Sequence, residues 1–183
     1  MLAAFKFMGQ RAPNKEQYNQ GNYIRMRVHT IETSMHLPLK IEEVFPFFYR
    51  AENLQRITPP ELDFCILTPL PIPIGLGTTV DYQLRLFRIP FKWRSEITVW
   101  DPPFSFVDKQ VSGPYKLWEH THLFYGDDSG TVIEDRVIYR IPFWPLGEIA
   151  YPLVRSQLKR IFRYRQQTIS DILLGETQLS EAR

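Results

Sequence analysis

The chain has 183 residues, of which 44% are hydrophobic and 14% aromatic, enough for one domain with its own core and too few for two ordinary ones. Lys and Arg number 22 against 20 Asp and Glu, a formal charge of +2, so no global field draws the protein onto nucleic acid, and none is expected as a partner. Cys65 is the single cysteine, which excludes an internal disulfide framework and a multi-cysteine zinc site.

Lys6 interrupts the opening apolar run too early for a secretory signal, and no later stretch approaches the roughly 18 uncharged apolar residues of a membrane span. A cytoplasmic chain without stable membrane insertion is therefore expected. Residues 9 to 22 are polar and aperiodic, so 1–25 read as a mobile N-terminal extension, 26–174 as the folded domain and 175–183 as a flexible C-terminal tail.

Apolar and polar residues alternate from Met26 to Leu37, with a phase slip near His29 that suggests a bulge in a first strand. Pro38 then opens a helical stretch with acids in its first turn and an apolar set at Ile41, Val44, Phe45 and Phe48, which Pro46 is expected to kink or divide. Beyond Thr58-Pro59-Pro60, six strand-like runs follow in succession, separated by turn residues, and predict an antiparallel meander. Cys65 lies in the first of these runs and reads as a small buried apolar residue. PLPIPIGLG, with Pro69, Pro71 and Pro73 unable to donate to a ladder, reads as an irregular edge or a rim loop. After Pro145-Leu146-Gly147 the period becomes 3.6 and one helix is expected to run to Leu174.

This order predicts an α+β domain: a curved antiparallel sheet wrapped around a long C-terminal helix, with two short helices after the first strand. A space between sheet and helix is where a ligand would bind.

The same order resembles the SRPBCC superfamily, the group of START, Bet v 1 and polyketide-cyclase-like helix-grip domains. The likeness rests on WDPPFSF, GPYKLWEHTHLF, TVIEDRVIYRIP and IFRYR, and is most specific in Trp118-x-His120-x-His122 followed by Asp135-x-Val137-x-Tyr139-x-x-Pro142. It covers His29 to Leu174 and points to the bacterial, cyclase/dehydrase-like branch. The resemblance implies a cavity for a hydrophobic small molecule such as a lipid, a polyketide or an isoprenoid-like compound. It does not decide between a carrier and an enzyme, and it transfers no catalytic motif.

Reading GDDSG as a hairpin turn and pairing Tyr125 with Gly130 sets His120 opposite Asp135, Trp118 opposite Val137 and His122 opposite Ile133. The same register sets Glu119 opposite Arg136 on the other face. Trp118, His120, His122, Phe124, Asp135, Val137 and Tyr139 then share the inward face. On the terminal helix Val154, Leu158, Ile161, Ile169 and Ile172 form a stripe that contains Arg165, whereas Arg155, Lys159, Arg160 and Arg163 fall on a solvated face. Arg165 must either snorkel past the stripe or enter the cavity and find an anion.

The expected ligand-binding set is therefore Trp118, His120, His122, Phe124, Asp135, Val137, Tyr139, Leu158, Ile161 and Arg165, with the alternative that His120, Asp135 and Arg165 form a hydrogen-bonded network that only fixes strand register and docks the helix. His120 and Asp135 could work as a general acid-base pair on a carbonyl compound, the carboxylate orienting the ring. His120, His122 and Asp135 could also supply metal ligands. No further histidine falls nearby, and the resemblance implies a metal-free apolar cavity, so neither a metal nor another cofactor is expected.

Overall fold

The computed structural model describes residues 27–181 in their backbone and 27–175 in their side chains. The expected N-terminal extension, 1–25, and Met26 lie outside the described residues. β1 (His29–Leu37) pairs with the last strand in unbroken register, so the alternation slip near His29 marks where the strand begins and is not a bulge within it.

α1 (Ile41–Phe48) carries Glu42 and Glu43 in its first turn. The Glu43 carboxylate reaches back from the third helical position to accept the Lys40 backbone N–H at 2.9 Å, the contact its position makes in a capping box. Its buried side chains are Ile41, Val44, Phe45 and Phe47. Pro46 is accommodated inside α1, and the division falls three residues later, before α2 (Ala51–Arg56). There Arg50 leaves the helical conformation to bridge Pro73.

A 3-10 turn (Pro60–Leu62) leads into β2 (Cys65–Ile66), β3 (Thr79–Leu86), β4 (Ile89–Asp101), β5 (Ser105–Ser112), β6 (Leu117–Asp127) and β7 (Gly130–Arg140). With β1 they form one seven-stranded sheet in the order β1-β7-β6-β5-β4-β3-β2, every neighbouring pair antiparallel. The proline-rich segment between β2 and β3 is irregular, as expected, and packs Ile72 and Ile74 against the core. Cys65 is exposed, contrary to expectation. It sits on a two-residue edge strand, where alternation turns its neighbours Phe64 and Ile66 toward the core instead.

A short turn of helix, α3 (Leu146–Ile149), precedes α4 (Tyr151–Glu181). The helical backbone thus continues past Leu174 into the segment expected as a tail. α4 buries Leu158, Phe162, Ile169 and Leu173 to 6% exposure or less. Phe162 and Leu173 are the centre of the stripe, and Val154, Ile161 and Ile172 its half-buried flanks, so the expected phase is displaced by about one residue. Burial of each large apolar side chain contributes roughly 1.5–3 kcal/mol. Leu158 and Phe162 pack with Ile31, Val137 and Tyr139 of the sheet and with Ile141 just beyond it. Ile169 and Leu173 join Phe45, Phe106, Phe124 and Ile133. Arg155, Lys159, Arg160 and Arg163 are exposed, and Arg160 pairs with Glu61. Among the described residues, no helix is long and apolar enough to cross a membrane.

Candidate functional site

The hairpin β6–β7 turns tightly: Asp127 pairs with Gly130, and Asp127 Oδ1 accepts the Ser129 backbone N–H at 2.7 Å. Gly130 has φ of +137° and its missing Cβ would lie 2.1 Å from the Leu37 carbonyl oxygen, so glycine is required there. The shorter turn moves the register by two residues from the one expected. His122, not His120, faces Asp135, His120 faces Val137, Trp118 faces Tyr139 and Phe124 faces Ile133. Because the shift is even, every side chain keeps its face. Glu119 is opposite Ile138 and Arg136 opposite Thr121. The expected Glu119–Arg136 pair is replaced by Lys109–Glu119 at 2.7 Å and Arg136–Glu32 at 3.3 Å.

His120 and His122 are 3% and 4% exposed, their rings 3.8 Å apart between centroids. His120 Nε2–H donates to Asp135 Oδ1 at 2.8 Å. His122 Nδ1 lies 2.9 Å from the same oxygen but off the line of a hydrogen bond. On the opposite side stands Asp108 of β5, which the sequence reading did not select. Its Oδ2 is 3.2 Å from His122 Nε2 and 3.4 Å from His120 Nδ1. Two carboxylates thus hold two imidazoles between them. Phe106 stacks on His122 at 4.0 Å, and the Phe162 edge meets His120 at 5.4 Å. Alternation in FSFVDKQV puts Asp108 on the same face as Phe106, two residues apart, a signal that marks its face but not the strand it meets.

Burial would raise the Asp108 and Asp135 carboxyls, but hydrogen bonds and charge from the two histidines hold both below the ordinary range. Burial, then the neighbouring His122, pushes His120 down despite Asp135. For His122 burial also acts downward, yet hydrogen bonds to Asp108 and contact with Asp135 prevail and raise it. The two imidazoles are thus pushed in opposite directions.

These groups close one end of a cavity of about 190 Å³ between the sheet and α4. Its wall is mainly apolar, including Phe47, Leu54, Leu84, Trp93 and Trp118. Of the expected ligand-binding residues, Trp118, His120, His122, Leu158, Ile161 and Arg165 line it. Phe124, Val137 and Tyr139, at 1% exposure or less, pack into the core instead. Asp135 lies behind the imidazoles, while Asp108 is on the wall. Arg165 enters the cavity, with its guanidinium 5.5 Å from the Phe162 ring. Its charge helps hold Asp108 low, but it forms no ion pair among the described residues. Asp108, His120 and His122 also offer three ligand atoms within 4.8 Å of one another, a possible metal-binding group.

No protein-family model matches the sequence, and no curated protein matches it. Solved structures do. A norcoclaurine synthase from Thalictrum flavum superposes with a TM-score of 0.64 at 13% identity, covering 85% of this chain and 99% of that one. The Zhui aromatase/cyclase from a Streptomyces species gives 0.65 at 12% identity, covering 80% and 94%. Ara h 8.0201 gives 0.57 at 17% identity, covering 81% and 99%. At such identities the likeness is one of fold: the chain has the helix-grip architecture of Bet v 1-like and SRPBCC proteins.

Proposed function

We propose that this protein binds a compact, mainly apolar small molecule between the sheet and α4, oriented by an anionic or acceptor group at Arg165. The observation that carries this reading is a mainly apolar wall that includes the half-buried Arg165 guanidinium, without an ion-pair partner among the described residues. A desolvated cation gains most from a ligand that brings the missing anion. The volume, about 190 Å³, is below the roughly 300–1,000 Å³ of common drug-sized pockets. A ring compound of the polyketide or cyclic isoprenoid type suits that size better than a full-length lipid.

Titration calorimetry with naphthalene sulfonate and neutral methylnaphthalene tests the reading. Both should bind saturably, and Arg165→Gln should weaken the sulfonate about tenfold or more, the scale of a hydrogen bond to a charged group, while the neutral probe changes less than about threefold. Absence of saturable binding by either probe, or equal loss of both, would refute it.

A second reading is a cyclase- or dehydratase-type reaction in the same cavity, with His120 as general base. It is favoured by the opposite shifts of His120 and His122, since neighbouring groups pushed apart are suited to separate acid and base roles. Turnover of a cyclisable polyketide that His120→Gln abolishes would support it.

A further inference from the structure

We propose that Asp108, His120 and His122 form a binding site for a divalent transition-metal ion, with an open coordination position toward the cavity. The histidines present their nitrogens in two opposed sets. Toward Asp135 Oδ1 the distances are 2.8 and 2.9 Å, the shorter a hydrogen bond from His120. Toward Asp108 Oδ2 they are 3.4 and 3.2 Å, the shorter a hydrogen bond with His122. They match the separation between ligand atoms of a tetrahedral ion, about 3.3 Å for bonds of about 2.05 Å.

Charge leads to the same place. Asp108 and Asp135 have side chains only 19% and 13% exposed, and Arg165 is the guanidinium whose charge reaches Asp108. Two buried carboxylates against one cation leave the cluster short of positive charge. With the His122 N–H moved from Nε2, where it meets Asp108, to Nδ1, 2.9 Å from Asp135 Oδ1, the atoms His120 Nδ1, His122 Nε2 and Asp108 Oδ2 converge as lone pairs, and a cation must stand among them. Either a proton on His122 or a metal ion meets that need.

The donor set favours the metal. Two imidazoles and a carboxylate are a common three-ligand set for a metal site with an open position. Asp135, which accepts from His120 and lies 2.9 Å from His122 Nδ1 on the far side of the rings, occupies the position of the carboxylate that orients ligating histidines. Asp108, His120 and His122 all line the cavity whereas Asp135 does not, so the remaining coordination position opens where a ligand oxygen or water can take it. The sequence alone offered His120, His122 and Asp135 and no further donor; Asp108, two residues from Phe106 on β5, completes the set on the opposite side.

The test needs no ligand, so its failure is separate from failure of the binding reading. Untagged full-length protein, stripped with chelator, is titrated with Co²⁺. One equivalent should develop the intense visible absorption of a four-coordinate ion, and Zn²⁺ should displace it. Asp108→Asn should weaken binding at least a hundredfold, Asp135→Asn by about ten- to a hundredfold as an orienting partner does, and His36→Gln at an exposed position should leave it unchanged. In the wild type, where folding is not at issue, Co²⁺ should shift the ring NMR signals of His120 and His122 and spare those of His29 and His36. Binding well below one equivalent, survival of the absorption in folded Asp108→Asn, or shifts confined to His29 or His36 would each overturn the proposal.

Discussion

Replacing Asp135 by asparagine puts the two-carboxylate arrangement at risk with little change of shape. Asp135 Oδ1 accepts from His120 at 2.8 Å and touches His122 Nδ1 at 2.9 Å. A hydrogen bond to a charged group is worth about 1.5–3 kcal/mol, and breaking a buried ion pair about 3–5. The amide oxygen of asparagine retains one neutral acceptor, worth about 1 kcal/mol. A net loss of about 2–4 kcal/mol follows for the chelated protein at neutral pH. For a chain of this size that lowers Tm by roughly 4–16 °C. The loss must also depend on pH. The carboxyl of Asp135 is held well below its unfolded value by the histidines, so its contribution is complete above an unfolded pKa of about 3.9 and lost as pH falls further. Denaturant melts of wild type and Asp135→Asn should therefore differ most above about pH 5, and the difference should shrink steadily as pH falls below the unfolded value. A difference under about 0.5 kcal/mol at neutral pH, or one that does not shrink in acid, would refute the reasoning.

Phe162→Ala should cost about 3–5 kcal/mol in equilibrium melts, because its ring is 2% exposed and lies against His120, whereas Arg163→Ala on the exposed face should stay within about 0.5; equal effects would displace α4 by a phase. In chelated protein, NMR titration of the imidazoles should place His122 above and His120 below the ordinary histidine value. The raised His122 contributes stability that is complete below an unfolded pKa of about 6.5 and lost as pH rises through its folded value; titration in the reverse order would contradict the assignment.

The alternation of seven strands and the 3.6-residue period of the last segment were legible locally, because each depends only on which side chains share a face. So was the inward face of the β6–β7 hairpin: the register was wrong by two, yet an even shift cannot turn His120, His122 or Asp135 outward. Boundaries that depend on packing were not legible. Pro46 stays within α1, the chain leaving helical form only where Arg50 meets Pro73, and Phe162 displaces Ile161 from the centre of α4 because sheet curvature, which no local period encodes, decides which residues touch it. The site shows the same division. Trp118-x-His120-x-His122 and Asp135 announced a polar cluster on an apolar face, but Asp108 joins it only through the β5–β6 pairing, in which it stands opposite His120. The register of separate strands is set by packing and turn geometry across the whole sheet, so the sequence specified one carboxylate and two histidines, and only the tertiary structure placed the second carboxylate on their other side.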